Sequence, residues 1–274
     1  MMCAVIIKGY QTIWLIITMD NNEYPWGKIR WHNKELFSID DVKFHLVSWG
    51  SPKKKSTPNN FVLVKDPSFS KSMARICAPL TPKNIVEFGL YHGASLVLLD
   101  KIFTPDAIVG IDERQEHPSL SQYRKSSLAH ASITPYCGVK QDDVNTLSHI
   151  FDLHFPKRNV DLIIDDCSHL YEPTKTTFLT AFPYLTPGGI YIIEDWGWAH
   201  WPGEFQEKEL FPGTPLSKLV FELIMLQSVI PNVIAKIETD YHHVAITKGE
   251  DSHCDYGNLF DLIKCKTSIK LKKQ

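Results

Sequence analysis

Apolar residues are scattered irregularly over the first third of the chain and then settle into a regular alternation. Between Asn84 and Asp112 an apolar run (Ile85, Val86, Phe88) leads into Gly89 and Gly93. Helical spacing follows, and a second run (Ala107, Ile108, Val109, Ile111) ends on Asp112. Short apolar runs predict strands and longer periodic stretches predict helices. The segment therefore predicts a strand over 84–88, a helix over 93–103 and a strand over 107–111, with Leu96, Leu98, Leu99, Ile102 and Phe103 of the helix facing a sheet.

The same rhythm continues downstream. Strands are predicted over 132–137, 160–164 and 190–193, and helices over 141–151, 173–185 and 215–230. The polar stretch 113–130 is expected to be helical in its second half, and Thr186–Gly189 (TPGG) to form a tight turn. The run 160–164 is almost wholly apolar, as in a strand buried on both faces. Residues 233–238 and 243–247 read as a terminal hairpin. The expected fold class is α/β: a Rossmann-like, doubly wound and mostly parallel sheet with one C-terminal antiparallel strand.

Residues 20–80 lack such periodicity. Trp26, Trp31, Phe37, Phe44, Trp49 and Phe61 are interrupted by Pro52, Pro58 and Pro67, which predicts a loop-rich region with one or two short helices, one of them over 70–80. The expected division is a region over 1–80, a main domain over 81–250 and a tail over 251–274. The first 19 residues are apolar but broken by Lys8 and Gln11 and short for a membrane span, with no basic stretch ahead of them. They read as an extra segment, with Met19 as the start.

Composition narrows the function classes. A formal net charge of −2 gives no global electrostatic case for nucleic acid, and Lys53–Lys55 and Lys270–Lys273 read as solvated runs. The cysteines, Cys3, Cys77, Cys137, Cys167, Cys254 and Cys265, form no C-x-x-C pair, which argues against structural zinc and for a reducing, cytoplasmic setting. The expected partner is a small molecule, with neither nucleic acid nor a membrane, and a homo-oligomer is compatible with the chain.

The chemistry-bearing residues fall at predicted strand ends, where open parallel sheets bind ligands. Gly89 and Gly93 open the first helix in an E-x-G-x-x-x-G-x-S pattern that includes Glu87 and Ser95. Tyr91 stands where a pyrophosphate loop has its middle glycine, which disfavours nicotinamide and flavin dinucleotides. Glu87 would repel phosphate and suits a cationic ligand such as the amino group or sulfonium of S-adenosylmethionine. Asp112 is placed to accept from two ribose hydroxyls; a capping aspartate is the alternative. In DLIIDDCSHLYEP, Asp165 and Asp166 end a strand, followed by His169; in YIIEDWGW, Glu194 and Asp195 end the next. Four bunched carboxylates call for a divalent cation, and all-oxygen ligation suits Mg²⁺. Trp196, Trp198 and Trp201 follow directly, as rings to stack on an acceptor or as a hydrophobic lid.

Together VEFGLYHGAS, IVGID, DLIIDDCSH and LTPGGIYIIED resemble the class I S-adenosylmethionine-dependent methyltransferases. They are most similar to the metal-dependent sugar O-methyltransferases acting on macrolide deoxysugars, a group that includes sequences labelled cephalosporin hydroxylase. The resemblance spans about 84–248. It implies Asp166, Glu194 and Asp195 as magnesium ligands and His169 as general base, and places Gln141 and Asp142 near adenosine. The expected cofactor-binding set is Glu87, Gly89, Tyr91, Gly93, Ser95, Asp112, Gln141, Asp142 and Asp165. Cys167 and Ala94 stand where the family commonly has glycine. The implied reaction is metal-assisted methyl transfer to a hydroxyl of a sugar or another small diol. The alternatives are a metal-dependent hydroxylase, which would more naturally show two histidines and one carboxylate, and a non-catalytic nucleoside-binding protein.

Overall fold

The structure is a computed structural model that describes residues 26–48, 55–202, 213–251 and 254–263. The readings of the N-terminal segment with Met19, of Trp49, of Lys53 and Lys54, and of the basic tail lie outside these residues.

Where the sequence predicts loops, the structure has a small sheet: β1 (Arg30–Trp31), β2 (Leu36–Ile39), β3 (Val42–Leu46) and β4 (Asn60–Leu63), in that order. The strands are too short for periodicity to register. Cross-strand stacking supports them instead, with Phe37, Phe44 and Phe61 in one row at centroid separations of 5.1 and 6.3 Å. β4 pairs parallel to β3, and the chain then enters α1 (Pro67–Cys77). This helix begins three residues earlier than expected, because Asp66 caps it by accepting from the Ser68 and Phe69 amides and Pro67 fits its first turn.

The main unit follows the predicted alternation. Its elements are β5 (Asn84–Phe88), α2 (Ala94–Phe103), β6 (Ala107–Asp112), α3 (Pro118–Tyr123), β7 (Ser132–Cys137), α4 (Val144–His154), β8 (Val160–Asp165), α5 (Tyr171–Ala181), β9 (Leu185–Glu194), α6 (Ser217–Val229), β10 (Ile234–Thr239) and β11 (His243–Lys248). The strand order is β10-β11-β9-β8-β5-β6-β7, with β11 antiparallel to both its neighbours and the remaining pairs parallel. This is the expected mostly parallel sheet with one reversed strand. α3 occupies the first part of 113–130 rather than the second, since Pro118 and the capping His117 start it early. The TPGG segment is absorbed into β9 as a register irregularity against β8.

Period-two alternation divides the core into two layers. Val86, Phe88, Ile163, Tyr191, Ile193, Val244 and Ile246 face a cluster with α4, α5 and α6. Ile85, Leu162, Ile164, Ile190, Ile192 and Ala245 face α2, α3 and the small sheet. The strand order reverses between β5 and β8, so a crevice opens beyond their carboxyl ends, and the small sheet and α1 close one side of it.

Candidate functional site

The crevice is a cleft of about 520 Å³, within the usual range for small-molecule sites. The glycine turn forms its floor. Gly89 has φ of +87°, and a Cβ there would lie 2.0 Å from the carbonyl oxygen of Asp166, so only glycine lets β5 turn past the end of β8. Gly89, Tyr91 and Ser95 line the cleft together with Asp166, His169, Asp195, Trp198 and Trp201. Tyr91, His169 and Asp195 all have positive φ, near +50°, which is uncommon outside glycine. Three side chains of the site are thus set by tight left-handed turns that end strands or begin helices.

Alternation along the strands decides which carboxylates meet. Asp165 and Asp166 are adjacent, so they cannot share an environment. Asp165 is buried, accepts from the Tyr191 hydroxyl at 2.8 Å and from Gln141 Nε2 at 3.4 Å, and is pushed up to about 7 by its burial. It does not join the cluster in the cleft. Gln141 is a brace that also accepts from the Ser168 amide, and Asp142 is exposed on the α4 side. Neither lines the cleft, and the same holds for Gly93, whose α-carbon is packed against Leu120.

Asp112 braces the glycine turn. One carboxylate oxygen accepts from the Leu90 and Tyr91 amides at 2.7 and 3.0 Å, and the other from the Arg114 amide at 2.7 Å. These bonds give it the capping role, in which the aspartate holds the glycine turn in shape from below. Trp196 is also structural, donating to the Asp240 carbonyl at 2.9 Å rather than facing the cleft.

Glu87 is buried behind the turn, with Oε2 lacking a hydrogen-bond partner, and burial pushes its carboxyl up to about 8. Burial favours its neutral form, where the sequence reading has a carboxylate suited to a cationic ligand. Because the ordinary value is 4.5, the unfolded chain ionises first as pH rises. The folded state therefore loses stability between pH 4.5 and 8, by up to roughly 4–5 kcal/mol if the group acts alone. Glu87→Gln is expected to stabilise the protein relative to wild type at pH 8 and to shrink that advantage towards pH 5, as read by urea unfolding at the two pH values. An advantage independent of pH would show that Glu87 does not titrate in this range.

Asp166, His169 and Asp195 each offer a ligand atom within 4.8 Å of the others, among the described residues the one such group of metal-ligating side chains. His169 Nδ1 lies 3.3 Å from the Glu194 carbonyl, which assigns the proton to Nδ1. It leaves Nε2 as an acceptor 3.8 Å from Asp166 and 4.0 Å from Asp195. Trp198 meets the imidazole edge-on at 5.2 Å and fixes its plane. The two carboxylates fit a hard divalent cation, with the imidazole beside it.

Glu194 stands apart from that group. Its carboxylate is in close contact with Lys65, whose Nζ is also 2.8 Å from Asp166. Burial alone would push the ammonium down, but the charges of Asp166, Glu194 and Asp195 outweigh it and hold Lys65 above the ordinary lysine value. A neutral amine would not draw two carboxylates this close, so the pair is ionised even though burial pushes Glu194 upward.

Sequence reasoning missed Lys65 because it lies in the aperiodic region and outside every motif. It also missed Asp66 and His242, which line the cleft and are joined through the Ser68 hydroxyl, 2.5 Å from Asp66 and 2.6 Å from His242. Tyr241, stacked on Trp201 at 5.5 Å with the rings within 4° of parallel, adds an aromatic wall.

Residues 86–196 match the family model described as a methyltransferase domain. The mycinamicin VI 2''-O-methyltransferase of Micromonospora griseorubida is 41% identical over 113 residues, which are 41% of this chain and 25% of that protein. The L-olivosyl-oleandolide 3-O-methyltransferase of Streptomyces antibioticus is 32% identical over 114 residues, 42% of this chain and 26% of that protein. The match thus spans about a quarter of the length of these curated relatives. Among solved structures, the MycE methyltransferase from the mycinamycin biosynthetic pathway, in complex with Mg and SAH, superposes with a TM-score of 0.51 at 26% identity, covering 66% of this chain and 49% of that one. Residues 86–196, which carry the glycine turn and four of the parallel strands of the doubly wound sheet, thus resemble a methyltransferase domain.

Proposed function

We propose that this chain is an S-adenosylmethionine-dependent O-methyltransferase that methylates a hydroxyl of a sugar or another small-molecule diol, with a divalent cation, Mg²⁺, as its metal. One observation carries the reading: the glycine turn and the cluster of Asp166, His169 and Asp195 open into the same cleft. The two relatives named above, an L-olivosyl-oleandolide 3-O-methyltransferase and a mycinamicin VI 2''-O-methyltransferase, support the acceptor class.

Gly89, Tyr91 and Ser95 would receive the cofactor against the turn. Asp166 and Asp195 would hold the metal, which would supply acidification of the acceptor hydroxyl when bound, and His169 would stand beside it, outside its ligand set. His169 Nε2 takes the hydroxyl proton, and its Nδ1–H stays on the Glu194 carbonyl throughout. The oxygen so freed attacks the methyl carbon, whose bond to sulfur breaks. Trp198 excludes water from the imidazole, and the stacked Trp201 and Tyr241 offer a flat face to a ring. The hydroxylase alternative is less well served, since a single histidine stands with the carboxylates.

Titration calorimetry with S-adenosylmethionine, with and without Mg²⁺, tests the reading directly. Binding of the cofactor is expected, followed by methyl transfer to a deoxysugar glycoside in the presence of Mg²⁺. No heat of cofactor binding under either condition would end this assignment. Among the described residues no helix is long and apolar enough to cross a membrane.

A further inference from the structure

A second imidazole lines the cleft. His242 sits at the tip of the β10–β11 hairpin, and its ring is flanked by Tyr241, edge-on at 4.9 Å, and by Phe69 of α1 at 6.0 Å. Its backbone is pinned as well: the amide donates to Asp240 Oδ1 at 2.9 Å, and the carbonyl accepts from the Asp195 amide at 2.9 Å. The residue is therefore fixed beside the strand end that carries Asp195. His242, Ser68 and Asp66 all lie outside residues 86–196, so the domain match does not account for them.

The hydrogen bonds fix which ring nitrogen carries the proton. Asp66 caps α1, where its Oδ1 accepts from the Ser68 and Phe69 amides at 2.7 and 3.1 Å and from the Ser68 hydroxyl at 2.5 Å. Partial burial pushes the Asp66 carboxyl up, but these bonds outweigh it and hold it below its ordinary value, so it accepts and does not donate. The single hydroxyl proton of Ser68 goes to Asp66. Ser68 Oγ then accepts from His242 Nε2–H, 2.6 Å away. Among the described residues nothing bonds to Nδ1, which is left accessible on a ring that lines the cleft. A hydroxyl can answer this atom in either charge state, since it donates to a bare nitrogen and accepts from a protonated one. His169 has the opposite tautomer, with its proton on Nδ1 and Nε2 turned to the carboxylates. Two imidazoles, each held by the protein through one nitrogen, thus leave the other nitrogen for the same cleft.

We propose that His242 binds a hydroxyl of the acceptor that is not itself methylated, and that Ser68 and Asp66 are positioning residues that hold its ring for that contact. The acceptor is then a ring carrying several hydroxyls, such as a pyranoside, rather than a simple alcohol. Tyr241 and Trp201, stacked beside His242, take the face of that ring. The inference rests on the acceptor class proposed above and adds the residue that reads the rest of the sugar. A site built to hydrogen-bond a hydroxyl discriminates strongly against an analogue that lacks it, because its own polar atom is left unpaired.

The probes are methyl α-L-rhamnopyranoside and its monodeoxy analogues at positions other than the one methylated, with S-adenosylhomocysteine affinity measured alongside. His242→Gln retains a polar atom near the place of Nε2, and so the bond to Ser68, but offers nothing at Nδ1. His242→Asn does the reverse. His242→Phe keeps the ring and removes both nitrogens. His242→Gln and His242→Phe are expected to raise KM for the rhamnoside about tenfold, with kcat within about threefold and S-adenosylhomocysteine affinity within about twofold of wild type. His242→Asn is expected to recover part of the loss. Removing the contacted hydroxyl is expected to cost wild type about tenfold in kcat/KM, and the Gln and Phe variants less than about threefold. Equal costs in wild type and variants for every analogue overturn the proposal. A wild-type KM in His242→Gln also overturns it, leaving the residue only a clasp between α1 and the hairpin. If His242→Phe does not fold, His242→Gln decides on the same comparison. No methylation of the rhamnoside by wild type, with S-adenosylhomocysteine still bound, ends the acceptor class and this inference with it. Absence of S-adenosylhomocysteine binding ends the reading of function as a whole.

Discussion

Replacing His169 with alanine is expected to lower methyl transfer by about 10²–10⁴-fold, the usual contribution of a positioned general base, with S-adenosylmethionine affinity within about twofold of wild type. The expectation follows from where the ring's bonds go. Nδ1 is engaged by the Glu194 carbonyl, Nε2 looks into the cluster, and Trp198 fixes the plane, so the imidazole is presented in one tautomer and one orientation. The cofactor floor at Gly89, Tyr91 and Ser95 is built by different elements, β5 and α2. Single-turnover kinetics with saturating cofactor would measure the effect. Turnover within tenfold of wild type would remove His169 from the role of base; a parallel loss of cofactor affinity would make it a structural residue.

The second large effect belongs to Gly89→Ala. The added methyl would meet the Asp166 carbonyl oxygen at 2.0 Å and its carbon at 2.6 Å, and both are backbone atoms that no rotamer change can move. The left-handed backbone adds about 1–2 kcal/mol of its own. Together these are expected to cost roughly 3 kcal/mol or more, a drop in Tm of about 6–12 °C, and to weaken S-adenosylmethionine more than about 100-fold by splaying β5 from β8. Gly138→Ala is the control, because Gly138 has a similar φ of +77° and nothing within 4 Å of an added Cβ. It is expected to lose only the backbone part and to bind cofactor normally. Equal losses in the two variants would mean that the close approach to Asp166 is unimportant.

What could be read from the sequence depended on how each feature is encoded. The parallel sheet was legible because β5, β6, β8 and β9 are apolar on both faces and their runs are separated by helical spacing. The single reversed strand followed from a tight connection between two short runs. The small sheet was not legible, since strands of two to five residues leave no period to detect and their evidence is the pairing of Phe37, Phe44 and Phe61 across strands. Within the site, motifs located the acids but not their directions. Asp165 and Asp166 read alike in a string, yet alternation sends the first to Tyr191 and the second to the cleft. Asp112 ends the right strand, and its string position does not show that its oxygens also accept from amides of the loop it supports. Lys65 and His242 come from far along the chain in either direction, and their place beside Asp166 and Asp66 is a property of tertiary packing alone.

The reversed strand has a consequence for how such a site diversifies. Because β11 runs against its neighbours, the tip of the β10–β11 hairpin, Asp240–His242, lands at the carboxyl edge of the parallel strands. One wall of the cleft is therefore a hairpin turn carrying Tyr241 and His242, held by side chains of neighbouring elements and joined to the sheet without a helix crossover. Substitutions there can reshape the acceptor side while the strands that seat the cofactor stay as they are, so the fold separates the part of the molecule that must stay constant from the part open to variation.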